Sequence, residues 1–113
     1  MKKNFKILAV IPARKGSKGI PKKNMIKISG KPLIYYTIKA ALKSKYISNL
    51  LVSTDCEEIA KYTKKLGAEV PFLRPKKLAT DKALTFPVIE HATKKMEKIK
   101  NSRYDYIILL QPT

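Results

Sequence analysis

Residues 5–24 read FKILAVIPARKGSKGIPKKN, and this stretch decides the fold. Its first part, from Phe5 to Ile11, is an almost continuous apolar run that ends at Pro12, which is typical of a buried central strand in a parallel sheet. Its second part, from Arg14 to Asn24, holds five cations and two glycines in eleven residues. Glycines let backbone N–H groups approach a ligand, and cations neutralise polyphosphates. The stretch therefore predicts a buried strand that runs into either a phosphate-binding loop or a solvated basic turn.

Strand and helix patterns alternate along the rest of the chain. Helical periodicity predicts three helices, from about Leu33 to Ser44, from Asp55 to Leu66 and from about Thr85 onwards. Strand patterns lie at 50–53, 70–73 and 106–110, and we expect the last strand to be buried like the first. This alternation implies βαβ crossovers, so we predict an α/β fold with a mainly parallel sheet and helices on both faces.

Each predicted helix has an apolar stripe that should face the sheet. The expected inner residues are Ile34, Ile38, Ala41 and Leu42 in the first helix, Ile59, Tyr62, Thr63 and Leu66 in the second, and Ile89, Ala92, Met96 and Ile99 in the third. Asp55 with Glu58 three residues later resembles a capping box at the start of the second helix, and Gly67 ends it.

Polar residues follow the predicted strands at the edge where ligands of parallel sheets bind. They are Arg14 after the first strand, Asp55 after the second, Arg74 after the third and Gln111 after the last. Asp55 could bind a metal, although a helix cap needs the same residue and is the reading that we favour. His91 has no second ligand near it in sequence, so no metal site is predicted from it.

The composition narrows the class of protein. The 113 residues carry a formal net charge of +17, mostly from lysines spread along the chain, which indicates solvated helix faces plus one phosphate site more than a nucleic-acid surface. No apolar run approaches the ~20 residues of a membrane-spanning helix. Cys56 is the single cysteine, so a disulfide framework is excluded. We expect one partial domain over residues 1–113 in a cytoplasmic protein that does not bind membranes or nucleic acid.

Two common phosphate motifs are absent from the sequence. Gly30-Lys31 is followed by Pro32, so there is no G-x-x-x-x-G-K-[ST] loop, and no G-x-G-x-x-G fingerprint is present. Four other blocks stand in order along the chain: Ile11–Asn24 continued by Gly30–Ile34, then Val52–Asp55, then Arg74–Asp81, and last Leu109–Thr113. Together they resemble the acylneuraminate cytidylyltransferase family, whose fold is Rossmann-like and of the nucleotide-diphospho-sugar transferase type.

The resemblance implies that CMP passes from CTP to a sialic acid or a related nonulosonic acid, with release of pyrophosphate. Carried over to this sequence, it implies that Arg14, Lys18 and Lys23 handle the triphosphate and act in catalysis. It also implies nucleotide contacts from Asn24, Arg74, Ala83 and Thr85, and a sugar contact from Gln111. Mg²⁺ is the implied cofactor, and the full-length protein is implied to be a homodimer.

This sequence departs from the family pattern at Lys82–Thr85 and at Lys15, where the family has other small or polar residues. By resemblance it covers the first half of a family member, so we expect a truncated domain whose main Mg²⁺ ligands lie in the second half. We also expect this piece to be inactive alone. The alternative function is a basic module that binds RNA or another polyanion without catalysis.

Overall fold

The computed structural model describes residues 5–14, 26–78 and 85–111. In chain order the described elements are β1 (Ile7–Pro12), β2 (Lys27–Ile28), β3 (Lys31–Pro32), α1 (Leu33–Leu42), β4 (Asn49–Ser53), α2 (Glu57–Leu66), a 3₁₀ turn (Lys76–Leu78), α3 (Thr85–Lys100) and β5 (Tyr106–Leu109). The predicted βα alternation is confirmed. None of the helices in these parts of the chain has the length and apolar character that a bilayer crossing requires.

Strand β1 is the centre of a three-stranded parallel sheet with the order β4-β1-β5. Its four residues from Leu8 to Ile11 are fully buried, because helices cover both of its faces. Ala9 and Ile11 point to the side of α1 and α2, whereas Leu8 and Val10 point to the side of α3. Strand β1 is therefore apolar along its length because both of its faces are buried, as the sequence predicts.

The first core layer lies between the sheet and the pair α1 and α2. Its fully buried members include Ile34 and Ile38 of α1 and Ile59 of α2, packed against Ala9 and Ile11. Burial of a side chain of this size contributes about 1.5–3 kcal/mol. Gly67 ends α2 in the left-handed conformation at φ 113°, as the sequence predicts.

The second core layer lies under α3, which begins at Thr85 with Pro87 in its first turn. Ala92 and Met96 of this helix are fully buried against Leu8, Val10 and Leu51. Ala92 and Met96 are buried as predicted, but the two ends of the predicted stripe differ, since Ile89 is only partly buried. Val88 joins it, and Ile99 is 51% exposed because positions four apart share the inner face.

Three other expectations are wrong. Residues 70–73 form no strand: a single bridge joins Leu51 to Glu69, and Pro71, which has no N–H, stops the ladder there. Leu42 is 44% exposed at the end of α1. Strand β5 is partly exposed, with Tyr106 at 55%, because it is the edge strand of the described sheet rather than a central one.

The predicted capping box at Asp55 is also wrong. Helix α2 begins at Glu57, and its N-cap residue is Cys56, for which no capping side-chain hydrogen bond is seen. The backbone N–H of Cys56 instead donates to Oγ1 of the buried Thr54, at 3.1 Å. The hydroxyl of Thr54, at the strand end, therefore helps to order the turn before α2.

Candidate functional site

The carboxyl ends of the three parallel strands lie level with one another. The N–H of Ala13, after β1, donates to the carbonyl of Ser53 at the end of β4 (2.9 Å). On the other side the N–H of Leu110, after β5, donates to the carbonyl of Val10 (2.9 Å). The residues that follow the three strands therefore meet at one edge of the sheet, which we name the carboxyl edge.

Arg74 is built into this edge by four hydrogen bonds. Its Nε donates to Oγ of Ser53 (3.1 Å), its Nη2 to the Ser53 carbonyl (2.8 Å) and its Nη1 to the Leu78 carbonyl (3.1 Å). Its backbone N–H donates to the carbonyl of Thr54 (2.7 Å). Only 6% of the residue surface is exposed, so the guanidinium is a buried, hydrogen-bonded cation.

Burial and two neighbouring charges act on the pKa of Arg74. Burial lowers the pKa of the Arg74 guanidinium below its ordinary value; the negative charge of Asp55 opposes this, and the positive charge of Arg14 adds to it. An arginine remains charged at neutral pH in any case. Arg14, Asp55 and Arg74 are thus within electrostatic reach of one another, and together they leave the edge with an excess of positive charge. That excess attracts anionic ligands.

The structure brings together some of the predicted site residues and leaves others outside its description. Arg14 is half-buried directly after β1, Gln111 is exposed after β5, and Thr85 is the first residue of α3. Arg74 lies at the same edge because it is hydrogen-bonded to Ser53 and Thr54. Lys18, Lys23, Asn24 and Ala83 lie outside the described residues, so the predictions for them remain predictions.

Ser53 has a role at the edge that sequence reasoning missed. It is fully buried at the end of β4, where its hydroxyl and its carbonyl both accept from Arg74. The signal was a small hydroxyl residue directly before Thr54 and Asp55 in a strand that is otherwise apolar. The contact joins residues 21 positions apart, which local pattern alone does not pair.

His91 lies beside the edge rather than in it. Its ring is perpendicular to that of Phe72, with centroids 5.4 Å apart. Burial lowers the pKa of His91, and the positive charges of Lys95, Arg74 and Lys77 lower it further. Both effects favour the neutral form of the imidazole. Within the described residues, no three His, Cys, Asp or Glu side chains form a group suited to a metal ion.

Comparison with known proteins gives consistent matches along almost the whole chain. The family model for cytidylyltransferases matches residues 8–111. N-acylneuraminate cytidylyltransferase of Escherichia coli is 44% identical over 108 residues, which cover 96% of this chain and 24% of that protein. Pseudaminic acid cytidylyltransferase of Campylobacter jejuni is 43% identical over 109 residues, 96% of this chain and 47% of that protein.

CMP-N,N'-diacetyllegionaminic acid synthase of Legionella pneumophila is 44% identical, with 96% of this chain and 47% of that protein covered. Among solved structures, CMP:2-keto-3-deoxy-manno-octonic acid synthetase complexed with CTP matches with a TM-score of 0.67 and 25% identity, over 95% of this chain and 40% of that one. A cytidylyltransferase from Leptospira borgpetersenii has the same fold, with a TM-score of 0.64.

These matches confirm the resemblance seen in the sequence, and the structural ones confirm the predicted fold class. The chain spans less than half the length of the relatives described, at most 47%. The matched residues include β4, α2, β5 and all of β1 except Ile7, and with them the whole described carboxyl edge. The chain belongs to the cytidylyltransferase family.

Proposed function

We propose that the protein takes part in the transfer of CMP from CTP to a nonulosonic acid, with release of pyrophosphate. The observation that carries this proposal is the positive carboxyl edge, where Arg14 and Gln111 follow β1 and β5 and Arg74 is hydrogen-bonded to the end of β4. The chain that forms it is 43–44% identical to enzymes named for CMP transfer to acylneuraminic and pseudaminic acids.

In the proposed reaction the anomeric hydroxyl of the sugar attacks the α-phosphorus of CTP. A new bond forms between that oxygen and the α-phosphorus, the bond from the α-phosphorus to the β-phosphate oxygen breaks, and the hydroxyl proton is lost to solvent. Negative charge builds up on the departing pyrophosphate. We propose that Arg14 neutralises this charge together with Lys18 and Lys23, which the sequence predicts in a basic loop, since cations that meet developing charge lower the barrier.

Mg²⁺ is part of the proposal as the usual companion of a nucleoside triphosphate. Asp55 is the carboxylate whose charge reaches Arg74 at the edge, but the described residues contain no group of three metal ligands. The residues at hand therefore do not fit a complete metal site, and we derive no step through the metal.

We propose different activities for this chain and for a protein as long as its relatives. For the 113 residues we propose CTP binding without steady turnover, because the relatives are more than twice as long. For a protein of that length we propose a homodimer in the cytoplasm. The sugar could be a sialic, legionaminic or pseudaminic acid, since relatives named for each match this chain about equally well.

A second candidate function follows from the charge. The net charge of +17 favours binding of RNA or another polyanion at the lysine-rich helix faces. Such binding falls steeply as salt is raised and is indifferent to the base of a nucleotide. It therefore predicts equal affinity for all four nucleoside triphosphates.

Thermal unfolding with CTP and Mg²⁺, run beside ATP, GTP and UTP, separates the two functions. A ligand at 100 times its Kd adds about 2.7 kcal/mol to the free energy of unfolding. We expect a rise in Tm with CTP alone, and a smaller rise for Arg14→Ala than for the exposed control Arg103→Ala. An equal rise with every triphosphate contradicts the proposal and favours the polyanion function.

Pyrophosphate release then identifies the sugar. A protein of the relatives' length should release pyrophosphate from CTP with one of the three nonulosonic acids, whereas the 113-residue chain should not do so at a steady rate. Absence of release with all three sugars contradicts the proposed reaction.

A further inference from the structure

The acidic residues of the chain are confined to its second part. Residues 1–54 contain thirteen lysines and arginines and no aspartate or glutamate, whereas residues 55–113 contain twelve cations and all eight acids. The ion pairs at Glu69 and Glu90 accordingly involve cations of the second part, Lys100 and Lys94. The hairpin formed by β2 and β3 and the helix α1 therefore carry lysines that no acid on the same elements can neutralise.

The hairpin also exposes apolar side chains beside one of those lysines. Ile26 is 43% and Ile28 is 50% exposed, and because they are two positions apart they project from the same face of the hairpin. Lys31 is paired with Ile28 across the hairpin and is exposed as well. The turn at Ser29 and Gly30 has φ angles of 52° and 84°, and among the described residues no atom lies within 4 Å of a Cβ built at Gly30. The tip of the hairpin therefore projects into open space with apolar side chains and a cation next to it.

Helix α1 continues this surface with a tyrosine and two further lysines. The hydroxyl of Tyr36 donates to the last carbonyl of β2, which holds the helix and the hairpin together. Lys39 and Lys43, three and seven positions after Tyr36, lie on the same exposed side of the helix. The Nζ atoms of Lys31 and Lys39 lie 5.3 and 5.7 Å from the centroid of the Tyr35 ring, so the hairpin and helix cations are neighbours. We name this surface the basic face, and its residues are Ile26, Ile28, Lys31, Tyr36, Lys39 and Lys43.

We propose that the basic face binds the surface of an anionic lipid bilayer, with its lysines on the lipid headgroups and its two isoleucines at the boundary of the acyl chains. Surfaces that combine lysines with exposed apolar and aromatic side chains bind bilayers in this way, since both parts add to the affinity. Tyrosine favours that boundary because its ring is apolar and its hydroxyl is polar. The inference is independent of CTP binding. It departs from the expectation drawn from the composition, which rests on the lack of a spanning segment and not on the distribution of charge.

Two other partners fit the basic face less well. A second copy of the chain is repelled, because each copy carries a net charge of +17. Single-stranded nucleic acid binds to aromatic rings that are open for stacking, but two lysine ammonium groups lie over the Tyr35 ring and the edge of Tyr36 contacts it. A phosphate backbone, moreover, offers the exposed isoleucines nothing apolar to pack against. The charge and the apolar side chains of this face together therefore favour a lipid surface.

Sedimentation with vesicles of equal parts phosphatidylglycerol and phosphatidylcholine tests the two parts of the basic face separately. Lys31→Ala/Lys39→Ala/Lys43→Ala should weaken binding about 100-fold, because each lysine near an anionic surface contributes about fivefold. Ile26→Ser/Ile28→Ser should weaken binding about tenfold without any change of charge. Binding of the wild type should fall as salt is raised and should be weak on phosphatidylcholine alone.

Helix α2 supplies the matched control. Its exposed side chains are all charged and combine three lysines with two acids, and they are Glu57, Glu58, Lys61, Lys64 and Lys65. Lys61→Ala/Lys64→Ala/Lys65→Ala removes the same net charge as the triple change in the basic face. This variant should bind the anionic vesicles within about twofold of the wild type, because its lysines lie outside the contact. Circular dichroism at the assay temperature checks that each variant is folded.

Tryptophan fluorescence gives a second measurement that needs no multiple variant. The chain has no tryptophan, so Ile28→Trp and Lys64→Trp each introduce a single fluorophore. With the anionic vesicles, the emission of Ile28→Trp should shift to the blue and be quenched by brominated lipid, whereas that of Lys64→Trp should do neither. Three results overturn the proposal: no binding of the wild type to the anionic vesicles, equal losses in the two triple variants, or unchanged emission from Ile28→Trp. Binding to single-stranded RNA in place of vesicles overturns it as well and favours the polyanion function.

Discussion

The end of the sheet opposite the carboxyl edge should contribute to stability but not to CTP binding. Replacing Glu69 with alanine tests this expectation. The Glu69 carboxylate accepts from Nδ2 of Asn49 (2.8 Å) and pairs with Nζ of Lys100 (2.7 Å). Oδ1 of Asn49 in turn accepts from the Tyr104 hydroxyl (2.6 Å). We name these four residues the amino-edge network, since Asn49 begins β4 and Lys100 ends α3. They link the start of β4 and the end of α3 to the connecting segments that carry Glu69 and Tyr104, at the edge remote from Arg14.

The expected loss follows from the exposure of the two contacts. The bond from Asn49 is partly buried and its acceptor is charged, so it contributes about 1.5–2 kcal/mol. The pair with Lys100 is exposed by 39% and 34%, and solvent screening reduces it to about 0.5 kcal/mol. Glu69→Ala should therefore lower the free energy of unfolding by about 2 kcal/mol, and Lys100→Ala by about 0.5 kcal/mol. For a chain of this size the larger loss lowers the Tm by about 8–16 °C.

Urea unfolding followed by circular dichroism measures both losses, with Lys98→Ala as an exposed control on the same helix. Titration with CTP well below the Tm supplies the second readout. Glu69→Ala should bind CTP like the wild type, because the network lies at the other end of the sheet. The reasoning is refuted if Lys100→Ala costs as much as Glu69→Ala. It is refuted as well if Glu69→Ala binds CTP more weakly at the same folded fraction.

Two further predictions concern a helix end and a phenol. Gly67→Ala should lower the free energy of unfolding by about 1–2 kcal/mol, because Gly67 has φ 113° and a Cβ there would lie 3.3 Å from Cδ1 of Leu42. An unchanged urea midpoint would count against this. Burial, with the nearby glutamates, raises the pKa of the Tyr104 phenol above 10.0. The folded state holds this proton more tightly, so the associated stability is present below pH 10 and lost as pH rises through the folded pKa. Tyr104→Phe should flatten that alkaline loss in urea unfolding, and a wild-type slope would contradict the prediction.

The fold was predictable where burial decides the pattern. The run from Leu8 to Ile11 is apolar because helices cover both sides of β1, and a sequence shows that directly. Strand β5 has a similar run but stands at an edge, with Tyr106 largely exposed. An apolar run does not distinguish a central strand from an edge strand, because strand order depends on contacts between distant parts of the chain.

The position of the site in the fold could be predicted from the sequence, but most of its side-chain contacts could not. Parallel strands bring Arg14, Asp55 and Gln111 to one edge whatever their neighbours are, so the alternation of elements was sufficient. The partners of Arg74 depend on a tertiary contact with Ser53 across 21 residues. Sequence pattern gave Arg74 a place at the edge and could not show that its guanidinium is already bound to protein.

The most direct test of the account is to map the backbone amide signals that change when CTP and Mg²⁺ bind to the ¹⁵N-labelled chain. The account predicts that the largest changes cluster after the three strands and in the following turn, at Arg14, Asp55, Arg74 and Gln111. They should be absent with UTP at the same concentration. Changes spread over the lysines of α2 and α3, equal for CTP and UTP, would contradict a nucleotide site at the carboxyl edge.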